Sequence, residues 1–274
     1  MDKSKVKICF IGNAVVDILS KTSDEILTKL KITKGSMQLV SEELSNEILK
    51  HLEKPTIMCG GSAANTAVGF QSFGEKCSFI GQIGNDEFGQ LFSKDLNNSG
   101  VFYQNQDFKI FDKTSKSIIL VTPDAERSMN TFLGASTKFN LNCVNERFIT
   151  NSKIIYIEGY LFDQPEAKVA IYHCCKIAKQ NNIKVALSLS DLFCVDRHRK
   201  DFLNLINEYV DVLFGNENEI KSLYQLNLIE SIKILKNNVN IGAVTLGSKG
   251  AIVFESKNEF HVNSIKVEEP TDTT

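Results

Sequence analysis

The sequence has few of the residues and patterns that mark zinc-binding, disulfide-linked or multidomain proteins. Its four histidines include no H-x-x-x-H pair and its seven cysteines no C-x-x-C pair, so neither a zinc site nor a disulfide framework is indicated. The odd number of cysteines, and their place in apolar runs, favour reduced thiols in the core. With four prolines and no low-complexity tract, no linker stands out, and we expect one domain.

Long apolar runs and an excess of positive charge are also missing. No stretch approaches the roughly 20 apolar residues that span a bilayer, and Asn13 and Asp17 interrupt the first apolar run, so neither a membrane segment nor a secretion signal is expected. The formal net charge of −2 argues against a nucleic-acid partner. We therefore expect a cytoplasmic protein.

Two common phosphate-binding signatures, G-x-x-x-x-G-K-[ST] and G-x-G-x-x-G, are absent. A P-loop and a dinucleotide-binding fingerprint are thereby excluded as the source of any phosphate binding.

Short apolar, β-branched runs alternate with helical patterns along the chain. The runs that predict strands are 6–11, 78–83, 154–157, 185–189, 212–214, 243–246 and 251–254. Apolar residues at helical spacing predict helices at 88–96 and 167–178. Such alternation is typical of an α/β fold with a mainly parallel sheet and helices on both faces. Ligands of these folds bind beyond the carboxyl ends of the strands.

Two regions break this rhythm, at about residues 20–52 and 101–133. Apolar and polar residues alternate there without a convincing helical period. We expect these regions to form a small β lid that is inserted into a single domain covering residues 1–274.

The segment GNAVVD at 12–17 directly follows the first predicted strand as a polar loop. A carboxylate such as Asp17 can accept hydrogen bonds from a diol in that place. Asn13 and Asp17 also suit a turn or a helix cap, so both interpretations stay open.

The segment CGGSAANTA at 59–67 places paired glycines before a helix of small residues. Gly60 and Gly61 allow close approach of backbone and ligand, and Asn65, one turn into the helix, offers a donor and an acceptor. A tight strand-to-helix turn packed by small residues would have the same sequence.

Two further segments follow strands in the second half. In GNENE at 215–219, Asn216 and Glu219 share one helix face. The pair suits hydrated Mg2+, which takes few protein ligands. The same two residues also suit helix capping. In TLGSKG at 245–250, the glycines let backbone approach a nucleotide, although the segment is also a good hairpin turn.

In this order, these four segments and the final Asp272-Thr273-Thr274 resemble the ribokinase superfamily of carbohydrate and nucleoside kinases, over essentially the whole chain. Further runs are similar to its bacterial adenosine kinase branch. They are 34–37, 62–66, 84–89, 124–131 and 158–161.

The resemblance implies a three-layer α/β domain with a β lid over a small-molecule acceptor, and ATP and Mg2+ as cofactors. The implied reaction is phosphoryl transfer to the 5′-hydroxyl of adenosine; a sugar kinase of the same superfamily is the alternative. The implied acceptor-binding residues are Asn13, Asp17, Gly60, Gly61, Ser62 and Asn65. Arg127 would approach the transferring phosphate, unless it is a solvated surface arginine. The implied nucleotide-side residues are Asn216, Glu219, Thr245, Gly247, Gly250, Asp272 and Thr273, with Asn216 and Glu219 on the metal.

One departure from the family's pattern bears on activity. In this family the segment like Asp272-Thr273-Thr274 continues into Gly-Ala-Gly-Asp, which supplies the anion hole and the general base, and that motif is absent here. Because both groups are needed for transfer, we expect these 274 residues by themselves to be inactive. A catalytically inactive binding fragment is therefore the other class of function to weigh.

Overall fold

A computed structural model of the chain describes residues 6–104 and 112–266. It divides into two compact units, Met1–Ile183 (unit 1) and Lys184–Thr274 (unit 2). The single-domain interpretation and its lid stay predictions.

Unit 1 contains two sheets and six α-helices among its described residues. Its strands are β1 Ile8–Ile11, β2 Val15–Lys21, β3 Met37–Leu39, β4 Thr56–Gly60, β5 Cys77–Ile80, β6 Phe102–Tyr103, β7 Ser115–Val121, β8 Arg127–Phe132 and β9 Ile154–Glu158. Its helices are α1 Asp24–Lys29, α2 Glu42–Leu49, α3 Ser62–Ser72, α4 Glu87–Asn98, α5 Glu146–Thr150 and α6 Pro165–Gln180.

The first sheet of unit 1 is parallel, in the order β9-β1-β5-β6. In β1, Ile8 lies opposite both Cys77 of β5 and Ile154 of β9. All four residues of β5 are buried, as expected for a strand covered on both faces. The strands predicted at 6–11, 78–83 and 154–157 are confirmed within a few residues.

The second sheet has the order β3-β8-β7-β2-β4. The pairs β2–β7 and β3–β8 are parallel, whereas β2–β4 and β7–β8 are antiparallel. Strands β3, β7 and β8 lie within the two regions predicted as a lid, but β4 and most of β2 lie outside them. The second sheet is therefore larger than the two predicted insertions.

The expectation that region 20–52 lacks helices is wrong, because α1 and α2 both form there. Ser23 and Ser41 cap them, each accepting a hydrogen bond from the backbone amide three residues ahead. Such caps stabilise short helices. Helix α2 buries Ile48 completely, so packing against the core compensates for its short length.

One apolar cluster joins the two sheets of unit 1. It includes Phe10 and Phe79 from the parallel sheet and Ile18 and Ile118 from the second sheet. These side chains are at most 1% exposed, so the core fixes both sheets that carry the segments predicted to bind the acceptor.

Unit 2 is a five-stranded sheet with three helices among its described residues. Its strands are β10 Lys184–Ser188, β11 Val212–Asn216, β12 Ile241–Thr245, β13 Ala251–Glu255 and β14 Asn258–Val262; its helices are α7 Leu192–Glu208, α8 Glu217–Tyr224 and α9 Leu228–Asn238. Strands β10 to β12 are parallel, and β13 and β14 continue the sheet antiparallel. The four strands predicted at 185–189, 212–214, 243–246 and 251–254 are confirmed.

Six of the seven cysteines are buried, and Cys59 is half-buried, which agrees with their predicted place in the core. Within 6–104 and 112–266, no helix is both long and apolar enough to cross a membrane.

Candidate functional site

Asp17 is brought beside the paired glycines by strand pairing. It lies inside β2, opposite Met58 of the antiparallel strand β4. The prediction that 12–17 is wholly a loop is therefore wrong, since only residues 12–14 separate β1 from β2. The residues on both sides of Asp17 are apolar and buried. A polar residue between buried apolar neighbours favours a strand in which the polar side chain points away from the core.

Glycine at both positions leaves room that a side chain would fill, for the Asp17 carboxylate at Gly60 and for the backbone of Asn13 at Gly61. A Cβ on Gly60 would overlap the carboxylate of Asp17. Gly61 has φ +95, and a Cβ there would lie 2.5 Å from the carbonyl oxygen of Asn13. The paired glycines thus let the 12–14 loop, Asp17 and the end of β4 approach closely.

Helix α3 starts directly at these glycines. Gly61 is its N-cap and supplies no side-chain hydrogen bond, and Asn65 donates its backbone N–H to the Gly61 carbonyl at 2.8 Å. The side chains of Ser62 and Asn65 are exposed, while Ala63, Ala64 and Ala67 are buried. The predicted acceptor-binding residues are thus all on the 12–14 loop, β2, the end of β4 and the start of α3.

Glu158 is a further polar residue at this place, to which the sequence analysis assigned no role. It is the last residue of β9 and is 1% exposed. Its Oε2 accepts a hydrogen bond from Ala63 N at 3.0 Å, and its Oε1 accepts a longer one, 3.4 Å, from Asn13 N. Burial raises the pKa of this carboxyl, and hydrogen bonds from Ala63, Ser62 and Asn13 oppose the rise. A charged residue that ends an apolar strand, IIYIE, is the sequence signal that marks it.

Arg127 begins β8 and pairs with Val121 of β7, which in turn pairs with Lys21 of β2. Because β2 alternates between faces, Lys21 and Asp17 share one face of the second sheet. Arg127 therefore lies on the Asp17 face, about 13 Å along the strands and about 10 Å across them from Asp17 at the backbone. The structure places the two residues on one surface, with their Cα atoms well apart.

In unit 2, Asn216 and Glu219 form a capping box at the start of α8. Asn216 Oδ1 accepts from Glu219 N at 2.9 Å, and the Glu219 carboxylate accepts from Asn216 N at 2.9 Å and from Asn216 Nδ2 at 2.6 Å. The capping interpretation is therefore confirmed. It does not exclude a metal, because each oxygen keeps a further lone pair.

Glu219 is 4% exposed. Burial raises the pKa of its carboxyl, the hydrogen bond from the Asn216 backbone opposes this rise, and the charge of Asp191 adds to it. A buried carboxylate beside a second acid is stabilised by a cation. Among the described residues no cluster of three or more His, Cys, Asp or Glu side chains surrounds a metal position. The donor set, one amide and one carboxylate, fits a magnesium ion that keeps most of its water.

Thr245 ends β12 directly opposite Asn216 of β11, so these two sites meet at the carboxyl ends of neighbouring parallel strands. The segment that follows is a hairpin turn into β13, as predicted. Gly247 has φ +61 and open space where a Cβ would be, whereas a Cβ on Gly250, at φ +92, would overlap the carbonyl oxygen of Val262. The turn thus exposes backbone beside Asn216.

The remaining nucleotide-side residues of the prediction, Asp272 and Thr273, lie outside the described residues.

Comparison with known proteins places this arrangement in a family. The pfkB family carbohydrate kinase profile matches residues 28–274. A solved structure from Rhizobium etli CFN 42, described as a probable sugar kinase protein, is 38% identical, with a TM-score of 0.88 over 98% of this chain and 82% of that chain. The adenosine kinase from Sinorhizobium meliloti is 35% identical, with a TM-score of 0.88 over 98% of this chain and 83% of that chain.

A curated relative is more distant. The 5-dehydro-2-deoxygluconokinase of Clostridium botulinum is 25% identical over 176 residues, which cover 61% of this chain and 51% of that protein. The chain thus matches about half the length of this relative. The family profile covers most of the chain, and both solved relatives exceed 30% identity across nearly all of it. The predicted ribokinase-like α/β fold is confirmed, and the chain belongs to the pfkB family of carbohydrate kinases.

Proposed function

We propose that this kinase transfers the γ-phosphoryl group of ATP to the 5′-hydroxyl of a nucleoside, adenosine. A nucleoside has two unlike parts, a sugar with a vicinal diol and a flat aromatic base. A site for it therefore needs hydrogen-bonding groups beside an apolar surface.

The observation that supports a nucleoside is the composition of the Asp17 face of the second sheet. Strand pairing aligns Asp17 with Met58, Ser117, Thr131 and Leu39 in one row. The Oγ of Ser117 lies 3.1 Å from Oγ1 of Thr131, as expected for side chains on one face.

The next row on this face is apolar except at its β4 end. It aligns Leu19, Ile119, Met129 and Met37, and Thr56 of β4 pairs with Leu19. Met37 and Leu39 are 56% and 64% exposed, which is unusual for large apolar side chains of a strand. An aromatic base that covered them would be stabilised by apolar burial and by contact with methionine sulfur. A free sugar offers no comparable apolar surface.

Sugar phosphorylation is the second candidate function, favoured by the names of relatives. The Clostridium botulinum relative is a 5-dehydro-2-deoxygluconokinase, and the Rhizobium etli structure is described as a sugar kinase protein. The diol-binding residues Asn13 and Asp17 suit a furanose as well as a nucleoside, so the apolar row is the feature that distinguishes the two candidates.

In this proposal the nucleotide binds at unit 2, where Thr245, Gly247 and Gly250 border the hairpin turn. Asn216 and Glu219 would hold Mg2+ through water, and the ion would neutralise charge on the phosphate oxygens. The guanidinium of Arg127 would stabilise the charge of the phosphoryl group in transfer. That these 274 residues are inactive by themselves, and that the protein is cytoplasmic with no nucleic-acid partner, stay predictions.

Equilibrium binding tests the acceptor directly, because it requires no turnover. Titration calorimetry would compare adenosine, ribose and fructose. Asp17→Ala should weaken adenosine and ribose alike by about 10- to 150-fold, since it removes hydrogen bonds to a charged acceptor, each contributing about 1.5–3 kcal/mol. Met37→Ser, which removes an exposed side chain of the apolar row, should weaken adenosine but not ribose.

Phe73→Ser is the matched control, because Phe73 is an apolar residue at the end of α3 that is 88% exposed. It should leave all three affinities unchanged. Tighter binding of fructose or ribose than of adenosine would overturn the nucleoside assignment in favour of the sugar.

A further inference from the structure

The carboxylate of Glu158 is buried, and no ion pair accompanies it within the part of the chain that the structure describes. Among the described residues its partners are the backbone amides of Asn13 and Ala63 and the side chains of Ser62 and Asn13. Burying a charged group is costly unless donors compensate it, so the retention of a carboxylate here requires an explanation.

The two amides belong to chain segments that are distant in sequence. Asn13 lies 145 residues before Glu158, in the loop between β1 and β2, and Ala63 lies 95 residues before it, at the start of α3. Room for the carboxylate depends on Gly12, where a Cβ would lie 2.5 Å from Glu158 Oε2 and 2.5 Å from the Cβ of Ala63. One side chain therefore joins the two segments.

Helix α3 needs such a partner because its N-cap residue has no side chain. Gly61 makes no side-chain capping bond, and the first amides of a helix otherwise lack acceptors. Glu158 supplies the acceptor at Ala63 and also places a negative charge at the positive end of an 11-residue helix. It thus caps α3 from the end of a neighbouring strand.

We propose that Glu158 is a positioning residue, which sets the distance between the 12–14 loop and the start of α3 and so shapes the acceptor site. The proposal rests on the proposed function in one respect, namely that these two segments bind the acceptor. Glu158 acts through the backbone amides of Asn13 and Ala63.

The test compares two variants, Glu158→Gln and Asp86→Asn, by amide hydrogen exchange and by adenosine affinity. The glutamine amide has a single acceptor oxygen, so one of the two amides would face another donor. Asp86 is a matched control because its carboxylate also joins two segments, accepting from Gly89 N at 2.9 Å and Thr114 N at 3.0 Å. Neither of those segments contains a predicted acceptor-binding residue.

Amide hydrogen exchange should separate the two variants. In E158Q, exchange should accelerate at Asn13 and Ala63, and in D86N at Gly89 and Thr114. Only E158Q should weaken adenosine binding, by about tenfold or more, as expected when a buried donor loses its acceptor. A purely structural role would lower the melting temperature in both variants and leave both affinities equal.

An adenosine Kd for folded E158Q within about twofold of that for D86N would overturn the proposal. If E158Q does not fold, Glu158→Asp replaces it, because the shorter side chain keeps the charge but loses the reach to both segments. If the wild type binds fructose or ribose and not adenosine, the nucleoside assignment fails, and the same comparison is made with the sugar that binds. A wild-type chain that binds none of the three overturns both proposals.

Discussion

Replacing Gly61 by alanine should lower the stability of unit 1 and disturb the proposed acceptor site. The backbone of this residue has φ +95 and ψ +137. Residues other than glycine rarely adopt this conformation. The added Cβ would lie 2.5 Å from the carbonyl oxygen of Asn13. Because that oxygen belongs to the backbone of the 12–14 loop, the contact is relieved only if the loop or the start of α3 moves.

The cost of the unfavourable backbone conformation alone is about 1–3 kcal/mol. A destabilisation of 1 kcal/mol lowers the melting temperature of a domain of this size by about 2–4 °C. For unit 1, Met1–Ile183, the expected loss is therefore about 2–12 °C, and the clash with Asn13 adds to it. Adenosine binding should weaken as well, since Asn13 and Gly61 are both in the proposed acceptor site.

Gly69→Ala is the control in the same helix. Gly69 is exposed in the interior of α3, and nothing lies within 4 Å of its Cβ position. This substitution should stabilise the helix by about 1 kcal/mol. Thermal unfolding followed by circular dichroism measures both variants, and calorimetry measures adenosine affinity. A melting temperature of G61A at or above that of wild type would refute the steric argument.

Three further predictions concern unit 2. Burial holds the pKa of Glu219 above its ordinary 4.5. The contribution of Glu219 to stability is therefore complete below about pH 4.5 and is lost as the pH rises through the raised value. In denaturant titrations, the unfolding free energy of wild type minus that of Glu219→Gln should fall as the pH rises above about 4.5, and a constant difference would contradict this prediction. Gly250→Ala should lower the melting temperature, since its Cβ would overlap the Val262 carbonyl at φ +92, whereas Gly247→Asn, at φ +61 in open space, should change it little. Phe260→Ser should reduce the fluorescence of a bound hydrophobic dye without destabilising the sheet. The reason is that Phe260 is 58% exposed and lies beside Val262, which is 53% exposed. Unchanged dye fluorescence would show that the dye does not bind this face of the sheet.

Strands β1, β5 and β9 to β13, and helices α4 and α6, were predictable because each repeats one signal over several residues, whereas α7, Leu192–Glu208, was not predicted. Helix α6, Pro165–Gln180, contains seven buried residues at helical spacing. Helix α1 has six residues and buries only Leu27, so its period is too short to detect. Asp17 was assigned to a loop because it is polar, yet its neighbours Val16 and Ile18 are fully buried in β2. A single polar residue on the face of a strand that points away from the core is hard to distinguish from a turn.

The start of α3 in unit 1 and the start of α8 in unit 2 differed in predictability for a related physical reason. Helix α8 satisfies its first amides with Asn216 and Glu219, which are three residues apart, so a local pattern predicts the cap. Helix α3 begins at a glycine that cannot cap, and its acceptor comes from Glu158, 95 residues away. No local pattern contains that contact. It follows that the start of α3 should lose its geometry whenever β9 detaches, whereas the capping box of α8 depends only on its own turn.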